Sequence, residues 1–259
     1  MTSSNSQSSL RPSVCIDAVF EGVAKPEAID RVAACGYDAF EFWGWWDKDL
    51  AEIEDAAAKH SMQIASICTK FISLVDPALR NEYLEGLGES IEAAKRLGCG
   101  TLISQVGDVR EGVAREEQQD CLVEGLRAAA PMLEKAGVTL VFEPLNDRID
   151  HIGYYLVRSD EAFQIVDAVA SDRVKVVFDI YHQQISEGNV IRNATENVSR
   201  IGHFHAAGNP GRHELTRGEL NYPEILRAIQ ATEYQGYFGL EYWPVDEPEV
   251  GLRQAATLF

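Results

Sequence analysis

Four side chains stand out by type and spacing: Glu143, Asp179, His205 and Glu241. Each follows a short run of mostly apolar or β-branched residues: TLVF, VKVVF, IGHF and YFGL in turn. Apolar runs of that length fit strands covered on both faces, as in a parallel sheet. The intervals between the four are 36, 26 and 36 residues, each about one βα unit of ~30 residues or more. If the sheet closes into a barrel, four hard donors on four successive strand ends meet at one mouth. Three carboxylates and one imidazole suit Mn²⁺ or Mg²⁺, with Co²⁺ acceptable. Structural zinc prefers thiolates or more histidines. A single carboxylate at a strand end is ordinarily a helix cap or a salt-bridge partner. Four at matching ends are harder to explain that way.

Further groups lie nearby. His182 follows Asp179 by three residues, and the apolar run ends at Ile180. That places His182 at the rim of the mouth, within reach of a substrate. Arg212, in GNPGRHEL, can donate paired planar hydrogen bonds to a carboxylate or hydroxyl. His203 is expected to point away from His205 and to pack under a helix. Lys70 follows the third strand and could face an anionic substrate. Trp43, Trp45, Trp46 and Tyr37 crowd the second strand. One aromatic at its end would wall off the pocket, and a dry pocket strengthens every charge interaction inside it. No Walker, GxGxxG or GxSxG motif is present, so nucleotide-binding and serine-hydrolase readings lack support.

The elements that must carry these groups alternate along the chain. Strands are expected over 14–20, 39–45, 63–69, 101–106, from 139, over 172–180, 201–207 and 237–243. Helices are expected over 25–34, 47–60, 81–97, 115–135, from the cap pair Ser159–Asp160, over 189–200, 223–232 and 247–258. This βαβα order predicts a parallel α/β fold. Eight cycles in 259 residues match a single (β/α)₈ TIM barrel of ~250 residues. The barrel is expected over residues 13–259. Residues 1–12, MTSSNSQSSLRP, are polar and without an apolar segment. They read as a disordered tail rather than a secretory signal.

Composition narrows the function classes. A formal charge of −18 argues against nucleic acid, whose binders gather Lys and Arg against phosphate. Five scattered cysteines without a CxxC favour a reducing cytoplasm and read as packing residues. No apolar run approaches the ~18 residues of a membrane span.

The segments VFEPLN, FDIYHQQISEGN, IGHFHAAGNPGRHE, GELNYPEI and GLEYWP resemble the hydroxypyruvate isomerase group of the xylose-isomerase-like barrels. The likeness runs from about Val14 to the C-terminus and is densest from Glu143 onward. PGRHE followed by GE, a hydrophobic residue and NY is fairly specific to that group and to the related ketose 3-epimerases. The resemblance implies a divalent metal held by Glu143, Asp179, His205 and Glu241. It implies that Glu143 and Glu241 also exchange protons with substrate, and it places His182 and Arg212 on the substrate. The chemistry implied is proton abstraction alpha to a carbonyl through a cis-enediolate, with hydroxypyruvate to tartronate semialdehyde as the first expectation. Short ketoses follow, and a homo-oligomer is the expected assembly.

Two departures are visible. Hydroxypyruvate isomerases resemble one another in a Gln at the third ligand position, whereas this chain has His205, as the 3-epimerases do. The loop NDRIDHIGYY is one residue longer than the isomerase pattern, and Asp150 is expected to fill its acidic position. Ketose 3-epimerisation is therefore the alternative reaction. A non-catalytic sugar-binding barrel is a more distant reading. An apurinic endonuclease on this barrel would need a His-rich multi-zinc site and a basic face. Six histidines and the acidic charge speak against it.

Overall fold

The computed structural model describes residues 10–259. Its strands are β1 (Arg11–Cys15), β2 (Ala39–Phe42), β3 (Gln63–Cys68), β4 (Thr101–Ser104), β5 (Thr139–Phe142), β6 (Val174–Asp179), β7 (Ile201–Ala206) and β8 (Tyr237–Leu240). They close into a barrel in chain order, β1 against β8, with every pair parallel. The helices are α1 (Ile16–Val19), α2 (Lys25–Ala34), α3 (Leu50–Lys59), α4 (Arg80–Arg96), α5 (Arg115–Ala136), α6 (Ser159–Val169), α7 (Ile180–Ser186), α8 (Val190–Glu196), α9 (Tyr222–Gln230) and α10 (Pro248–Ala256). This is the (β/α)₈ barrel expected from the alternation.

Side-chain alternation on the strands sorts the interior into two parts. Phe40, Phe142, Phe178, Phe204 and Phe238 are fully buried and join the apolar faces of the helices in the main core. Cys68, Ile103, Val141 and Val177 form a smaller cluster, with Trp43 against it. The period of two then carries the site. With Val141 inside the barrel, Glu143 is inside too, and Val177 brings Asp179 with it.

Four segments differ from the sequence reading. β1 covers Arg11–Cys15, and the apolar stretch from Ile16 to Val19 turns into helix α1. Short apolar runs cannot be assigned to strand or buried helix by periodicity alone, and all four α1 residues are buried. The expected tail of residues 1–12 is thereby shortened. Leu10 is buried and Arg11 and Pro12 belong to β1, while residues 1–9 lie outside the described part. Finally, helix α7 starts directly at Ile180 where a loop was expected. α6 begins at Ser159, with Arg158 in the cap position and no side-chain cap.

Candidate active site and metal centre

Glu143, Asp179, His205 and Glu241 converge at the C-terminal mouth of the barrel. One donor atom from each lies within 4.8 Å of all the others, and all four residues are buried. The strands explain the convergence: each residue is the last inward-facing position of β5 to β8, or follows it directly. The cavity above has a volume of about 230 Å³. Trp43, Phe71, Ile103, Leu145 and Trp243 give it an apolar wall, and Gln105, His151 and Arg212 supply polar groups.

Asp179 is a helix cap and still leaves one oxygen facing the cluster. Its Oδ1 caps α7, accepting from the backbone N–H of Tyr181 at 2.7 Å and of His182 at 3.1 Å. Its Oδ2 remains for the cluster, 3.8 Å from the Arg212 guanidinium. Burial, together with Glu143 and Glu241, raises its pKa against the pull of Arg212.

Glu241 is held at both oxygens. The Trp43 indole N–H donates to Oε1 at 2.7 Å, and Arg212 donates to Oε2. Glu143 is held at one, with Oε1 3.2 Å from His205 Nδ1. Burial opposes ionisation of Glu241, but His205 and Arg212 outweigh it and lower its pKa. Burial likewise opposes charge on His205, yet Glu241 and Glu41 raise its pKa well above the ordinary value.

Arg212 sits in a left-handed backbone conformation, φ 56°, which is uncommon for a side chain other than Gly, Asn or Asp. Paired backbone bonds between Gly208 and His213 hold that turn. The guanidinium packs over Tyr181 and Trp243, at 5.4 and 4.9 Å from the ring centroids. Its charge is reinforced chiefly by Glu241 and Asp179, against the cost of burial.

His182 is not on the rim. The turn of α7 folds it behind Asp179, where it is fully buried and outside the lining of the cavity. The backbone N–H of Asn146 points at its Nδ1 from 3.3 Å, with the Asn146 amide 2.7 Å away. Nε2 therefore carries the hydrogen; it lacks a hydrogen-bond partner and lies 3.7 Å from Asp179 Oδ2. Burial pushes its pKa well down, so the ring is a neutral donor.

The expectation for His203 fails. Residues two apart on a strand share a face, so His203 and His205 both point into the barrel, with ring centroids 4.9 Å apart. Lys70 pairs with Glu89, leans on the Trp45 ring and does not line the cavity. Asp150 accepts from Asn146 at 2.6 Å and from the Tyr181 hydroxyl at 3.0 Å, bracing the loop after β5. The five cysteines are free and buried, as packing residues should be, and Cys68 also lines the cavity.

Sequence reasoning missed Glu41, Gln105 and His151. Glu41 is 2% exposed inside the barrel and contacts both His203 and His205. Its signal was a carboxylate between Phe40 and Phe42 in an otherwise apolar strand. Burial opposes its ionisation, but the two imidazoles hold it well below the usual carboxylate range.

The whole arrangement defines a class. A family model described as "Xylose isomerase-like TIM barrel" matches residues 29–259, and the chain belongs to that family. Among its relatives is the hydroxypyruvate isomerase of Escherichia coli (strain K12), 31% identical over 233 residues, covering 86% of this chain and 90% of that one. A 2-oxo-tetronate isomerase of Cupriavidus necator is 34% identical over 176 residues, covering 68% of this chain and 67% of that one. The chain is an enzyme of the isomerase class these relatives represent. A crystal structure named as a family 2 AP endonuclease from Brucella melitensis superposes with a TM-score of 0.90 at 28% identity, over 96% of this chain and 98% of that one. An L-ribulose 3-epimerase shares the fold with a TM-score of 0.80 at 16% identity, over 96% and 93% of the two chains.

Proposed function

We propose that this chain is a divalent-metal-dependent isomerase of a short hydroxy-keto acid, converting hydroxypyruvate to tartronate semialdehyde. The observation that carries this reading is the convergence of four buried donors, each from a different strand, within 4.8 Å. Such a set suits a hard cation, Mn²⁺ or Mg²⁺ before Co²⁺. The curated relatives support the substrate class, since their names specify hydroxypyruvate and 2-oxo-tetronate.

A cation held by Glu143, Asp179, His205 and Glu241 supplies Lewis-acid stabilisation to negative charge developing on substrate oxygens. Glu143 and Glu241 stand on strands three positions apart in the barrel, so they approach a substrate from different sides. One glutamate takes the proton from the carbon alpha to the carbonyl; its return to the neighbouring carbon, with the hydroxyl proton passing from the alpha-carbon oxygen to the former carbonyl oxygen, completes the isomerisation. Arg212 binds the substrate carboxylate from the cavity wall. His182, buried behind Asp179 with its Nε2–H 3.7 Å from Oδ2, steadies that carboxylate rather than touching substrate. The apolar wall keeps water from quenching the reactive carbanion.

His205 favours a second reading. With His at the ligand position that resembles the 3-epimerases, return of the proton to the same carbon from the opposite face would invert that centre. One experiment separates the two. The protein is incubated in D₂O with Mn²⁺ and hydroxypyruvate, then with ketoses of four to six carbons, and followed by proton NMR. Deuterium at C3 of hydroxypyruvate together with tartronate semialdehyde supports the first reading. Exchange at C3 of a ketose with inversion supports the second. No exchange into any of them removes both.

A further inference from the structure

We propose that Glu41 is a positioning residue that fixes which ring nitrogen of His205 faces the metal cluster. The proposal rests on the metal reading above but concerns a side chain outside the four converging donors. Glu41 sits on β2, inside the barrel and below the four donors. His205 Nε2 is 2.9 Å from its Oε1, and His203 Nε2 is 3.0 Å from its Oε2. Neither contact is a well-aligned hydrogen bond, and Oε1 and both Nε2 atoms have no other partner. A ring nitrogen that close to a carboxylate oxygen must carry a hydrogen, because two facing lone pairs repel. With no cation bound the same holds at Nδ1, which is turned towards Glu143 and Glu241 at 3.2 and 3.6 Å; a cation among those donors would take the place of the Nδ1 hydrogen, while Glu41 keeps the one on Nε2.

Two independent features hold the carboxylate in place. Ser13 on β1 and Ser66 on β3 both donate to Glu41 Oε2, at 2.8 and 3.3 Å. Between β1 and β7, β8 presents Gly239, paired with Ser13 and with His205. A Cβ there would stand 2.3 Å from Glu41 Oε1 and 2.7 Å from His205 Cδ2. The barrel therefore leaves bare backbone at the one place where the Glu41–His205 pair crosses from β2 to β7. Metal-bound imidazoles are commonly oriented by a carboxylate on the far ring nitrogen, and losing that partner costs about 10–100-fold in metal affinity.

The test compares wild type with Glu41→Gln by calorimetric titration with Mn²⁺ and by ¹⁵N NMR of the His205 ring with Zn²⁺ as a diamagnetic probe. Wild type is expected to bind one Mn²⁺ and to show a protonated Nε2 opposite a metal-bound Nδ1. E41Q is expected to lose about 10–100-fold in Mn²⁺ affinity, with the His205 ring signals broadened or moved. Wild-type affinity and ring signature in a folded E41Q overturn the proposal. So does a second equivalent of metal lost only in E41Q, which would make Glu41, His203 and His205 a cation site of their own. Should E41Q not fold, Ser13→Ala with Ser66→Ala leaves the carboxylate but loosens it. A smaller loss of the same sign is then expected, and none overturns the proposal. If wild type itself binds no Mn²⁺, the metal reading fails first and takes this one with it.

Discussion

At the scale of single residues, the account makes three demands on the acids and the arginine. Glu143→Gln and Glu241→Gln remove groups assigned to carry a proton, and each should lower kcat by about 10²–10⁴-fold. Steady-state assays with metal saturating would check this; a variant within a few fold of wild type contradicts the assignment. Arg212→Lys keeps the charge but loses the planar fork. A charge-assisted hydrogen bond is worth about 1.5–3 kcal/mol, so kcat/KM should fall roughly 10–100-fold. The third demand concerns pH. Without metal, His205 is held protonated because Glu241 and Glu41 outweigh burial, and Asp179 is raised by burial and its acidic neighbours. Metal must displace those protons, so its affinity rises with pH, by about tenfold per unit for each proton released. Titrations between pH 6 and 8 that show no slope would contradict this. At this scale the convergence of the four donors was legible because each ends an apolar run. His182 was misplaced because nothing in IYHQQ announces a helix that starts directly after the strand's last residue. His203 was misjudged through a strand-period error, since i and i+2 point the same way. Glu41 went unread because one acid in a strand carries no partner's name in the sequence.

At the scale of elements, the barrel strands do two jobs with alternate residues. Phe204 faces the helices, stacking near Phe178, Phe238 and Tyr234 at centroid distances of 4.8–6.0 Å, while its neighbours His203 and His205 face inward. Phe204→Ala should cost about 3–5 kcal/mol of stability, read from urea unfolding, and should also weaken metal binding through β7. Unchanged stability would mean that β7 is not held from outside. β2 has a comparable division. It supplies none of the four converging donors, yet Glu41 and the adjoining Trp43 each contact one, His205 and Glu241. Element order was legible from the βαβα alternation, and α2 was read to the residue, Lys25–Ala34. Ends were less so. β2 stops at Phe42 and β8 at Leu240, because apolar residues past a strand's end continue into the pocket wall, as Trp43 and Trp243 do.

At the scale of the whole molecule, three carboxylates sit buried at one end of the barrel, and the chain carries a formal charge of −18. A bound cation relieves that local repulsion. At a concentration a hundred times its dissociation constant it should stabilise the fold by about 2.7 kcal/mol. For a domain of this size that raises Tm by roughly 5–11 °C, and a chelator should reverse it; scanning calorimetry with Mn²⁺ and then EDTA checks both. Closure of the barrel was legible from chain length and eight strand–helix cycles, but the N-terminal boundary was not. Leu10, Arg11 and Pro12 follow a polar run, and only the pairing of Arg11 and Pro12 with Tyr237 and Phe238 shows that the sheet begins there.

Solvent-deuterium uptake into hydroxypyruvate, with Mn²⁺ present, is the most direct test that Glu143 and Glu241 move a proton across one site. Wild type should place deuterium on the substrate carbon at the rate of turnover, and Glu143→Gln and Glu241→Gln should each slow it at least ~100-fold. Uptake that continues at the wild-type rate in either variant would contradict the account.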